Sequence, residues 1–224
     1  MPSRLTAVAW LLAACLAFPI ARGLYAVPVQ VSDSLEPIVI SATSPSLGTL
    51  VAQAPHFSPT TFRPLRYVQA RLMVDLQEAT GLSYRAVFRG THVLLFAALV
   101  ALFVMATRVR TGVDLAAFAI ALPVLFGLHT FVSMLQEAYP VNHFAEVGVC
   151  SLAVLVLALR QPRWFTAPVV CLLIAMCVSV VESGVLVWVV VIACAIAGLR
   201  GVDRPTLVSS TLLTIGDLAL RHAL

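Results

Sequence analysis

From residue 90 onward the chain is a succession of apolar stretches, 90–107, 113–135, 145–159, 165–181, 183–199 and 205–220, parted by short polar turns. Each is near the ~20 residues that about 30 Å of hydrocarbon requires, the later ones being somewhat short. Inside lipid every backbone N–H and C=O must be satisfied within the spanning structure, and runs of this length do so as helices. Another apolar run, 5–20, lies between Arg4 and Arg22 and reads as a retained signal anchor in preference to a cleaved signal peptide. The expected fold is therefore all-α, a polytopic transmembrane helical bundle of about seven spans. Composition agrees: 61% of the residues are hydrophobic and 11% are charged, whereas a soluble domain has roughly a quarter charged.

The turns set the orientation. Arg108 and Arg110, Arg160 and Arg163, and Arg200 and Arg204 occupy alternate turns, while the turns between them carry Glu137, His143, Glu146 and Glu182 without any base. Arginine is retained on the cytoplasmic side, so Arg4 and the three arginine turns are expected inside. The same alternation makes Glu182-Ser183-Gly184 a tight hairpin, because one continuous helix would carry Arg200 to the wrong side. The chain is thus expected in a bacterial inner membrane, N-terminus cytoplasmic, with 1–22 as anchor, 23–89 as an exterior loop and 90–224 as the bundle. Its bases are all arginine, scattered, with no basic run interleaved with aromatics, which argues against nucleic acid as a partner.

The exterior loop is the one long stretch that hydrocarbon would not accept, so chemistry is sought there first. Within it, 65–79 places Leu65, Val68, Leu72 and Leu76 at helical spacing, with Arg71 four residues before Asp75. This predicts an amphipathic helix on the outer membrane face, opened by Pro64 and ended by Gly81. Upstream, 38–52 is apolar but too weak to span and predicts a second interfacial helix, and 55–64 reads as a turn-rich linker.

Three short patterns carry a resemblance. Ser32-Asp33-Ser34-Leu35-Glu36 soon after the first span, Phe62-Arg63-Pro64-Leu65-Arg66 opening the amphipathic helix, and Arg89-Gly90-Thr91-His92 leading into the second span resemble the multi-pass GT-C glycosyltransferases over roughly residues 1 to 160. The resemblance implies transfer of a sugar from a polyprenyl-phosphate donor at the outer leaflet to a glycan, lipid or protein acceptor. Members of that class usually have more spans, so the resemblance implies a short or truncated N-terminal part. The resemblance also implies an acid soon after span one as the base.

The chemistry can be stated independently. A sugar bonded through C1 to a lipid phosphate already has a leaving group, so a catalyst must deprotonate the attacking hydroxyl and neutralise charge growing on the phosphate. Asp33 is the candidate base, and Glu36, three residues on, would orient the acceptor or a divalent metal. The competing reading of this pair is a helix cap with an acid in the first turn. Arg63 and Arg66 are the candidate phosphate ligands, because a guanidinium grips phosphate oxygens as a fork. Headgroup anchoring is the competing reading, and the preferred one for Arg71, Arg85 and Arg89.

A second exterior patch, residues 136–144, adds Glu137, Tyr139, Asn142 and His143. Glu137 and His143 are candidate sugar or phosphate contacts, against the alternative of a solvated turn with Tyr139 at the interface. Together they are too few for a metal site. Within the apolar runs, His129 is expected to bond between helices, Asp114 to pair with Arg110 at the inner boundary, and Asp217 to stand as an acid needing a partner. The five cysteines all lie in apolar runs, without metal-ligand spacing, and read as packing residues. A non-catalytic membrane scaffold or assembly partner is the alternative function. A transporter would need more ionisable groups at mid-membrane.

Overall fold

The computed structural model describes residues 4–28, 35–57, 63–127 and 142–223, and every regular element among them is helical. The helices are α1 (Arg4–Ala26), α2 (Leu35–Thr43), α3 (Leu47–Phe57), α4 (Pro64–Thr80), α5 (Tyr84–Thr107), α6 (Gly112–Phe126), α7 (His143–Ala158), α8 (Thr166–Val178), α9 (Val185–Ile196) and α10 (Arg204–Ala223). A single 3₁₀ turn, Glu182–Gly184, joins α8 to α9.

Local chemistry sets most of the boundaries. Pro64 opens α4, where its missing N–H costs nothing, and Gly81 closes it in the left-handed conformation at φ 66°, donating its N–H to the Gln77 carbonyl. The expected helix over 65–79 is thus present, one residue longer at each end. Ser83 caps α5 by accepting from the Ala86 N–H at 3.2 Å. That cap starts the helix at Tyr84, six residues before the apolar run, so Arg85 and Arg89 sit on its first turns. Asn142 caps α7 in the same way at 2.9 Å. In α6, Thr111 and Asp114 form a reciprocal capping box. The Asp114 carboxylate accepts from the backbone N–H groups of Arg110 and Thr111, so its tie to Arg110 runs through the main chain and not through a side-chain ion pair.

Three segments differ from expectation. Helix α1 continues through Pro19 to Ala26, beyond the expected end near Arg22. The weak apolar stretch is split into α2 and α3, with Ser46 capping the second by accepting from the Thr49 N–H at 3.1 Å. Helix α3 also runs two residues past Pro55, into what the sequence reads as linker.

The helices pack as a chain of neighbours: α6 on α1, α1 on α5, α5 on α7, α7 on α8 and α9, and α8 and α9 on α10. Helices α2 and α3 rest on α4, which in turn leans on α5. One core joins α1, α5 and α6, where fully buried Ala9 and Ala13 let α1 approach the Phe96, Leu99 and Val104 face of α5. Phe96, Phe103, Phe118 and Phe126 interlock there in edge and stacked pairs. A second core joins α7 to α10 around Val154, Ile174, Val187 and Val191. All five cysteines are free thiols, with Cys150, Cys177 and Cys194 inside the packing and Cys15 exposed.

Contacts between distant segments divide the molecule into two ends. At one, Thr6 donates to the Val109 carbonyl, Arg108 to the Leu159 carbonyl, and Gly201 N–H to the Ala158 carbonyl. At the other, residues 26–28 meet Arg85 and Arg89, Gln69 meets Glu146, Arg63 meets Glu182, and Arg221 meets Val178. The three arginine turns gather at the first end and helices α2–α4 at the second. Between them the outward faces are apolar: Phe18, Leu94, Ile120, Leu172, Ile196 and Leu212 are all exposed.

Helices α1 and α5, of 23 and 24 residues, are long and apolar enough to cross a membrane by length and composition. Helices α6, α7, α8 and α9 are apolar but run 15, 16, 13 and 12 residues, below the ~20 of a straight crossing. Residues 128–135 of the expected span 113–135 lie outside the described residues.

Candidate functional site at the α4 end

Arg63 immediately precedes Pro64, and its guanidinium reaches the turn between α8 and α9. It donates from Nε to Glu182 Oε1 at 2.7 Å and from a terminal nitrogen to Oε2, a two-point grip. Beside it, the Leu65 N–H, an orphan donor of the first turn of α4, bonds the Ser179 carbonyl at 3.1 Å. Arg221 approaches from α10, donating to Asp217 at 2.7 Å and to the Val178 carbonyl. The expected lone acid of the last span therefore has its partner four residues on, along its own helix. Burial pushes the Glu182 carboxyl up, but the Arg63 hydrogen bond and the charges of Arg63 and Arg221 outweigh it and hold it below the usual range.

One and a half turns along α4, Gln69 donates to Glu146 Oε1 at 2.5 Å, which ties α4 to the first turn of α7. Glu146 Oε2 lies 3.9 Å from His143 Nδ1. The two side chains are 14% and 6% exposed, so a carboxylate and an imidazole sit together largely out of solvent. Glu146 Oε2 and Gln69 Oε1 accept no hydrogen bond among the described residues. Arg66, three residues before Gln69, shares its face of α4. The i, i+3 spacing of His143 and Glu146 was legible once Asn142 is read as a cap. Gln69 was not, because nothing local marks a glutamine that will meet a residue far along the chain.

Glu36 is exposed in the first turn of α2. Its charge acts on Tyr67, whose phenol is pushed above its ordinary range first by burial and then by Glu36. Of the other candidates, Asp33 and Glu137 lie outside the described residues, as do His129 and Tyr139. Arg63, Arg66, His143 and Glu36 all belong to the α4 end, with Arg63 already committed to Glu182. Among the described residues no three His, Cys, Asp or Glu side chains converge, so these residues assemble no site for a divalent metal.

Two of the arginines expected at headgroups are internal fasteners. Arg71 donates to Asp75 at 2.7 Å and to the carbonyls of Ser41 and Ser44 at 3.0 and 2.7 Å, binding α4 to the end of α2. Arg89 is fully buried, donating to the Val27 and Pro28 carbonyls and to His92 Nδ1. The physical reason is the same in both: helices α1 and α2 end in carbonyls without intrahelical partners, and a guanidinium supplies several donors at once. Arg85 remains exposed and reaches Ala26 at 3.4 Å.

No protein family, curated protein or solved structure compared with this chain matches it. The site is thus defined by its own geometry as a polar cluster at one end of an all-helical molecule with membrane-length helices.

Proposed function

We propose that the chain is an integral membrane protein of the multi-pass type, and that its α4 end faces outward and carries glycosyl transfer from a polyprenyl-phosphate sugar to an acceptor hydroxyl. The observation that carries the reading is the placement of polar groups: Arg63, Arg66, Gln69, His143 and Glu146 meet at one end of a bundle whose flanks are exposed hydrocarbon. Exposed Leu72 and Leu76 form an apolar edge on α4 opposite its buried Tyr67, Ala70 and Met73, which suits a helix lying at the lipid surface. A lipid-borne donor would arrive along that surface.

In this reading Asp33 takes the proton of the acceptor hydroxyl, the oxygen attacks C1, and the C1–O bond to the phosphate breaks, with the electron pair leaving on the lipid phosphate. Glu36 orients the acceptor. Arg66 takes the phosphate, with His143 and Glu137 as further contacts, while Arg63 serves first as a brace through Glu182. The orientation follows the arginine turns, with N-terminus and residues 108–112, 160–164 and 200–204 cytoplasmic.

The alternative, a non-catalytic membrane scaffold or assembly partner, is favoured by one observation: Arg63, Arg71 and Arg221 are each engaged inside the chain. Transfer from a polyprenyl-phosphate sugar in reconstituted membranes separates the two. Asp33→Asn should lower turnover by about 10² or more while donor binding survives. Arg66→Lys should weaken donor binding together with rate, because a point charge does not replace a fork. Wild-type protein that neither binds nor turns over such donors leaves the scaffold reading.

A further inference from the structure

A concavity lies at the other end of the molecule, among the arginine turns and away from the α4 end. It has a volume of about 590 Å³ and is lined by the C-terminal end of α7, the turn into α8 and the turn after α9. That size falls within the roughly 300–1,000 Å³ of small-ligand pockets. Its lining includes Leu157, Ala158 and Leu199, and the Gly201 N–H bonds the Ala158 carbonyl at 2.9 Å. Four arginines are among its lining residues, Arg108, Arg160, Arg163 and Arg200.

These four differ in what they do. Arg108, the residue that follows α5, in the left-handed conformation at φ 46°, turns its guanidinium to the Leu159 carbonyl and fastens two helix ends. Arg163 lies over the Phe165 ring at 5.8 Å. Arg160 and Arg200 have no carboxylate or hydrogen-bonding partner for their guanidinium groups among the described residues. The acids nearest in sequence are already used: Asp203 accepts from Thr206 N–H and Oγ1, and Asp114 from the Arg110 and Thr111 N–H groups. A cavity of ligand size lined by four arginines and by no acid is suited to an anion. Orientation alone would require basic turns; it would not require that they converge on a cavity while Arg110 and Arg204, in the same turns, stay off its lining.

We infer that this cavity binds a phosphate group, with Arg160, Arg163 and Arg200 as its ligands and Arg108 positioning the rim. The phosphate belongs either to an anionic lipid headgroup or to a soluble phosphate compound; guanidinium recognition is common to both. The site is separate from the α4 end and stands whether or not glycosyl transfer is confirmed there.

The test uses the full-length protein, purified in a zwitterionic detergent and stripped of lipid. Two probes are titrated: short-chain phosphatidylglycerol against short-chain phosphatidylcholine, followed by native mass spectrometry, and inorganic pyrophosphate, followed by calorimetry. The cavity variant R160Q/R200Q is compared with R110Q/R204Q, which removes the same charge from the same end outside the cavity. All four side chains are exposed, and circular dichroism checks that both variants are folded. The cavity variant is expected to lose at least about tenfold in affinity, and the control less than about threefold. A further variant, R160K/R200K, should recover part of the loss. Selective retention of phosphatidylglycerol with no pyrophosphate binding supports the headgroup source; pyrophosphate binding at the same loss pattern supports a soluble one. Equal losses in both double variants, or no binding of either probe by the wild type, overturns the proposal.

Discussion

At the scale of single residues the arginines are the informative side chains, and most of what they do is invisible in the sequence. Arg63, Arg71, Arg89, Arg108 and Arg221 donate to carboxylates or terminal carbonyls that lie from 4 to 119 positions away. A local reading of the sequence finds the i, i+4 pair of Arg71 with Asp75 but leaves Asp217 without a partner, although Arg221 stands four residues on. The Arg63–Glu182 pair gives a direct test. Its side chains are 24% and 47% exposed, so its net worth is that of a partly solvated, two-point pair, about 1 kcal/mol. Glu182→Gln should lower stability by that amount at neutral pH, measured by denaturation in detergent. Because the folded carboxyl titrates below its unfolded value, the stabilisation is complete above the unfolded value, about 4.3, and is lost as pH falls through the folded one. Wild type and variant should therefore converge in acid. A gap that persists at pH 2 would assign the effect to packing.

At the scale of elements, boundaries marked by local chemistry were legible and boundaries set by partners were not. Pro64 and Gly81 bracket α4, and the hairpin at 182–184 follows from the alternation of arginine turns; both are present. The early start of α5 depends on Ser83, and its first turns are polar enough to look like loop until Arg89 is seen buried against the end of α1. Helix α3 runs past Pro55, where a proline suggested a linker. The hairpin offers a sharp prediction. Gly184 is buried, and a Cβ there would overlap the Cys177 carbonyl group and come to 2.5 Å from Val178 N. Those are backbone atoms that cannot rotate away, so Gly184→Ala must push α9 from the end of α8. A loss of about 1–3 kcal/mol is expected. Gly216, which has open space around its Cβ position on α10, is the control; Gly216→Ala should leave stability unchanged or raise it by about 0.5–1 kcal/mol, as a helix-interior glycine replaced by alanine does. Asp203→Ala, which removes the acceptor for Thr206 at the start of α10, should cost about 1 kcal/mol, with Asp203→Asn retaining most of it.

For the whole molecule, the strongest long-range statement in the sequence is the alternation of basic and acidic turns, and the folded chain has a counterpart to it. Val109, Leu159 and Gly201 meet neighbours at one end, whereas Arg63, Gln69 and Arg221 meet theirs at the other. Arginine turns sorted to one end and flanks of exposed hydrocarbon are what the proposed membrane setting calls for. Cysteine accessibility tests this. With the five native cysteines replaced by alanine, Pro45→Cys in the turn between α2 and α3 and Gln161→Cys between α7 and α8 are each expressed in intact cells and treated with a membrane-impermeant maleimide. Pro45→Cys should react at once, and Gln161→Cys only after the inner face is opened. The reverse pattern would invert the protein in its membrane and move the α4 end, with its arginines and its His143–Glu146 pair, to the cytoplasm, where an outer-leaflet sugar donor cannot reach it. Reaction of both positions in intact cells would mean that the two ends are not separated by a bilayer, and the exposed apolar flanks would then have to be covered by other protein.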